Sequence, residues 1–105
     1  MALESRQDVS QAALAEARAI VERELGGLAV RAYLFGSRAD GTAGRISDID
    51  IGVLPTGPIP FDTLARLRGA LDDSTIPYAV DVVDLSHVVP AFRDRVIATG
   101  VQWIG

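Results

Sequence analysis

No cysteine occurs among the 105 residues, which excludes disulfides and thiolate metal sites. A single histidine argues against a zinc site of the usual kind. No segment is long and apolar enough to span a bilayer, and Glu4, Arg6 and Asp8 stand where an apolar signal run would be. A cytoplasmic location, with no membrane partner, is the default expectation. Basic residues are also scarce. Ten Lys and Arg face fourteen Asp and Glu, for a net charge of −4, so direct nucleic-acid binding on a broad cationic face is not expected. The length allows one compact domain over residues 1–105, with no room for a second. Hydrophobic residues make up 49% and are spread evenly, which marks a globular chain rather than a disordered one.

Against these absences stands one dense constellation. Leu34-Phe35-Gly36-Ser37-Arg38-Ala39-Asp40-Gly41 is followed by a polar stretch and then by Ser47-Asp48-Ile49-Asp50-Ile51-Gly52-Val53. Apolar residues at 49, 51 and 53 alternate with the acids. Positions two apart share one face of a strand. Asp48 and Asp50 are therefore expected to project together, with Ile49, Ile51 and Val53 entering the core.

The rest of the chain supplies a frame. Residues 8–25 read as a helix with Leu14, Ala17, Val21 and Leu25 in one stripe, Ser10 or Asp8 as its cap, and Gly26-Gly27 as its stop. Residues 28–35 and 46–54 read as strands. Pro55, Gly57, Pro58 and Pro60 mark a connector. A second helix follows on Phe61, Leu64, Leu67 (or Arg68) and Leu71, and residues 78–85 form a third strand. Ser86 is the expected cap of a last helix with Val89, Phe92 and Val96 inward and Pro90 in its first turn, and residues 101–104 a short edge strand. Alternating strands and helices predict an α/β (α+β) fold, a small mixed sheet flanked by helices.

Two carboxylates on neighbouring same-face positions stand about 6.5–7 Å apart at the backbone. Their side chains can converge on two magnesium ions roughly 3.5–4 Å apart, the spacing used in two-metal phosphoryl chemistry. Magnesium prefers hard oxygen ligands and keeps phosphate and water in its shell. Asp81 is the expected third acid, because a charge in mid-strand is costly unless paired or metal-bound. Asp84 has the opposite parity and reads as a strand-end or cap residue. Gly36 lets backbone approach a phosphate, and Ser37 can donate its hydroxyl and N–H. A short helix starting near Arg38 would aim further N–H groups at the same anion.

Gly36-Ser37, Asp48-x-Asp50 and the later strand residue Asp81 resemble the nucleotidyltransferase superfamily that includes DNA polymerase β. The short chain is similar to its minimal nucleotidyltransferases, the antitoxin partners of HEPN toxins. The resemblance implies a polymerase β-like fold. It also implies magnesium-dependent transfer of AMP from ATP to a protein hydroxyl, a tyrosine of the cognate HEPN toxin, with formation of a hetero-oligomer. Carried over residue by residue, Gly36 and Ser37 match the triphosphate-holding turn, Asp48 and Asp50 the metal pair, and Asp81 the third acid. Where many relatives carry Ala-Arg-Gly after the turn, this chain has Ala39-Asp40-Gly41, with Arg38 and Arg45 as nearby cations.

Blander roles remain for several residues. Arg38 and Arg45 either steady a triphosphate, meet an acidic partner or are simply solvated. His87 reads as structural or exposed, Trp103 as sheet-edge packing or a partner contact, and Asp72-Asp73 as a solvated helix end. Two other functions stand beside the enzyme: a non-catalytic antitoxin that covers its partner, and nucleotidyl transfer to a small molecule or RNA.

Overall fold

The structure is a computed structural model and describes residues 2–36 and 48–105, with side chains from residue 10 onward. Ser37, Arg38, Asp40, Gly41 and Arg45, expected around the phosphate turn, lie outside the described residues.

Helix α1 spans Ala2–Leu25. It starts earlier than the apolar stripe suggests, because residues 2–7 are mostly good helix formers. Asp8 and Ser10 therefore lie inside the helix rather than capping it. Ala17, Val21 and Leu25 are fully buried, and Ala13 and Ile20 widen the stripe into a second lane. After Gly26-Gly27, β1 (Val30–Phe35) runs to the Gly36 turn, and β2 (Ile49–Pro55) returns antiparallel to it. Helix α2 (Thr63–Asp72) then crosses to β3 (Val80–Asp84), which is parallel to β2. A 3-10 turn, Leu85–His87, leads to α3 (Pro90–Thr99) and the edge strand β4 (Val101–Ile104), antiparallel to β1. The sheet order is β3-β2-β1-β4, so it is mixed, as expected.

Two expected inner-face residues point outward instead. Phe61 is 103% exposed and precedes α2. The Pro60 carbonyl accepts from Thr63 N–H at 3.1 Å and from Thr63 Oγ1 at 2.6 Å. That turn starts the helical register at Thr63, so the buried stripe is Thr63, Leu67 and Leu71. Val89 is 67% exposed because it occupies the N-cap position of α3, with Pro90 at the first turn. Ser86 does not cap α3. It belongs to the 3-10 turn, whose cap is Asp84: Asp84 Oδ1 accepts from Ser86 N–H at 2.9 Å and from Ser86 Oγ at 2.6 Å. The cap role expected of Asp84 is thus what the structure shows.

The two faces of the sheet differ. One carries Val30, Ala32, Leu34, Ile49, Ile51, Val53, Val82 and Trp103 into the main core with α1 and α2. The other carries a smaller cluster of Tyr33, Leu85 and Val96, flanked by Phe35, Leu54, Val83, Val88 and Phe92, under α3. Trp103 is buried at the sheet edge, as packing predicts. Among the described residues, no helix is long and apolar enough to cross a membrane.

Candidate active site

The strand registers decide which acids meet. Phe35 lies opposite Asp50 in the β1–β2 pair, and Asp50 is level with Asp81 in the β2–β3 pair. Directly paired residues share a face. Phe35, Asp50 and Asp81 therefore form a row across three strands, on the face away from the main core. Asp48 stands just before β2 rather than within it. Ile49 N–H donates to the Ala79 carbonyl at 2.9 Å, which extends the β2–β3 pairing to this end. Ile49, Ile51 and Val53 are fully buried on the opposite face, as their parity predicts.

Asp50 is half-buried, and its carboxyl pKa is raised. Desolvation is the largest cause, followed by the charge of Asp81 and then that of Asp48. Two neighbouring acids thus act on Asp50. Among the described residues, however, no three His, Cys, Asp or Glu side chains already close around a single point. Magnesium is commonly held by one or two carboxylates plus substrate phosphates and water, so a closed cage is not what its chemistry demands. Hard-oxygen donors level with one another, one of them half-buried, suit a divalent cation.

Gly36 completes this corner. Its φ is +77°, a conformation that side chains rarely adopt. A Cβ placed there would stand 2.6 Å from Asp50 Oδ2. Only hydrogen fits between this turn and the acid. For any phosphate chemistry carried out at this corner, we expect Gly36→Ala to cost about 10²-fold in rate, the scale of loss that roughly 1 Å of misplacement produces. The Asp50 carboxylate is the end of a flexible side chain and swings aside, but the positive φ still strains an alanine, so a circular-dichroism melt should also show a lower Tm.

Asp50 also couples the site to stability. Its pKa is higher in the folded chain than the ordinary 3.8. The folded state therefore binds more protons than the unfolded one in the window above 3.8, and stability falls as pH rises through it. At neutral pH the ionised carboxylate destabilises the metal-free protein. Asp50→Asn should raise Tm at pH 7 in chelator, and the gain should shrink as pH is lowered toward 4. Melts that are identical at pH 7 would contradict this coupling.

Sequence reasoning gave no role to Gly52. It lies two residues beyond Asp50 on the same face, and a Cβ there would stand 2.9 Å from Leu85 Cδ1. Leu85 is fully buried, seated on that bare stretch of β2. A glycine inside a strand pattern signals such a close approach. Phe35 was visible only as the residue before the turn, and its ring contact depends on α3.

Comparison with known proteins agrees with this fold. A family model described as "Polymerase beta, Nucleotidyltransferase" matches residues 29–104. The protein adenylyltransferase MntA of Shewanella oneidensis is 39% identical over 79 residues, covering 70% of this chain and 52% of that protein. A crystal structure of a toxin–antitoxin with AMP-PNP contains a similar chain at 31% identity and TM-score 0.64, covering 84% of this chain and 73% of that one. A crystal structure of the toxin–antitoxin MntA–HepT is similar at 26% identity and TM-score 0.59, covering 90% and 72%. The chain spans about half the length of the curated relatives it matches.

Proposed function

Because this chain belongs to the polymerase β nucleotidyltransferase family, we propose that it transfers AMP from ATP to a protein hydroxyl and serves as the antitoxin of a toxin–antitoxin pair. The observation that carries this reading is the level pair Asp50 and Asp81 beside the positive-φ Gly36. The names of its relatives support the acceptor class: an adenylyltransferase, and complexes of antitoxin with toxin.

The residues divide the work. Asp48 and Asp50 would hold the magnesium ions, two in number on this reading, with Asp81 as the third acid. Magnesium, when bound, offsets the negative charge of the triphosphate oxygens. Gly36 brings its backbone close to the phosphates, and Ser37 and Arg38 extend that grip. The acceptor hydroxyl, a tyrosine of a HEPN-type toxin, attacks the α-phosphorus in line. A new phosphorus–oxygen bond forms, the bond to the bridging oxygen breaks, and pyrophosphate leaves. Asp81 takes the hydroxyl proton.

The test is incubation of the chain and its cognate toxin with ATP and magnesium, followed by intact-mass measurement. The toxin should gain the mass of one or more AMP groups, and the gain should disappear with chelator. An unchanged toxin mass, with wild type behaving like Asp48→Asn, would sink the enzymatic reading in favour of a binding antitoxin.

A further inference from the structure

Phe35 closes the acid row on its β1 side and is followed directly by Gly36. Its ring meets that of Phe92 edge to face, with centroids 5.7 Å apart and planes at 87°. Phe92 belongs to α3, which packs on this face through Val96 against Tyr33 and Leu85. A helix that contributes no acid to the row therefore reaches the end of β1 through one aromatic contact. The gap between Gly36 and the Asp50 carboxylate admits only hydrogen. A small rotation at the end of β1 would change that gap and redirect the Gly36 N–H.

We propose that Phe92 is a positioning residue: through the ring of Phe35 it holds the end of β1 so that Gly36 stays seated beside Asp50. An edge-to-face pair is directional, because the positive ring edge seeks the negative ring face. An aliphatic side chain fills the same space without that preference. Phe92 is only half-buried, so Phe92→Tyr is the conservative variant, keeping an aromatic ring at this position. The catalytic consequence rests on the transferase reading above, whereas the structural consequence does not.

The experiment compares Phe92→Ala, Phe92→Leu and Phe92→Tyr with Val96→Ala, which loosens the same cluster but keeps both rings. Two readouts are taken on the full chain well below each variant's Tm: the Gly36 amide resonance of the free protein, and kcat and KM for ATP with the toxin as acceptor. Phe92→Ala and Phe92→Leu should shift the Gly36 resonance and lower kcat/KM by about 10- to 100-fold. Phe92→Tyr should restore both, and Val96→Ala should leave both near wild type despite its lower Tm. Equal losses in Phe92→Ala and Val96→Ala, or a Gly36 resonance indifferent to Phe92, overturns the proposal. Should the wild type transfer no AMP, the transferase reading fails, and the Gly36 resonance alone decides whether Phe92 holds the turn.

Discussion

On the proposed function, Asp50→Asn should lower the rate of AMP transfer by about 10³-fold or more, because a charge-stabilising contribution of several kcal/mol would be removed and each ~1.4 kcal/mol is a factor of ten. Asp50 sits between the other two acids: Asp81 is level with it on β3, and Asp48 precedes it by two residues. Both neighbouring charges act on its carboxyl. An amide at this position keeps the shape but loses the negative charge that would hold a divalent ion. The loss should appear in single-turnover rates with saturating ATP and toxin, so that weaker nucleotide binding is not mistaken for slower chemistry. The same variant melts no lower than wild type in chelator. A variant that is folded, more stable and inactive separates the site from the scaffold. Activity within tenfold of wild type would remove Asp50 from the reaction.

Ile51→Ala does the reverse. Ile51 is the next residue along β2, yet it points to the opposite face and is fully buried among α1, α2 and the sheet. Its truncation removes apolar contacts and leaves a cavity that a close-packed core fills poorly. We expect a loss of about 3 kcal/mol, which for a domain of this size lowers Tm on the order of 15 °C. Chemical denaturation should show a lower midpoint with little change in slope. Assayed well below its own Tm, the variant should transfer AMP at close to the wild-type rate. A shift of only a degree or two would mean that this face is looser than its burial indicates. Adjacent residues of one strand thus govern activity and stability separately, because successive side chains leave the sheet in opposite directions.

Strand parity is local, and that is why residues 49–53 were readable before any coordinates. The alternation of Ile49, Asp50, Ile51 and Val53 depends only on the backbone period. The stripe of α1 was readable for the same reason. Errors arose where a boundary was set by contacts that a periodicity count does not see. Phe61 has helical spacing to Leu64, but the Pro60 carbonyl and Thr63 fix a turn that starts the helix two residues later. Val89 has helical spacing to Phe92 and Val96, but the proline after it holds it in extended backbone at the helix entrance. Ser86 is a good capping residue that serves a different turn, because Asp84 reaches it first.

Within the site the division is similar. The chain order of Gly36, Asp48 and Asp50 pointed to phosphate chemistry, since a tight turn and paired acids are each defined over a few residues. The membership of Asp81 was conditional on β3 lying beside β2. Asp84, three residues on, already differs by strand parity, and the register then pairs it with Val53 while Asp81 pairs with Asp50. The seat of Leu85 on Gly52 and the ring pair of Phe35 with Phe92 join residues tens of positions apart.

By itself the sequence determined the element types, the inward and outward sides of β2, and the chemical character of the acids and of the Gly36 turn. These follow from backbone geometry and side-chain chemistry that hold over a few residues. Only the tertiary structure decided that Asp81 stands level with Asp50, that Gly36 abuts its carboxylate, and that α3 braces the end of β1. Those relations depend on strand order and register, which are set by the burial of distant side chains against one another.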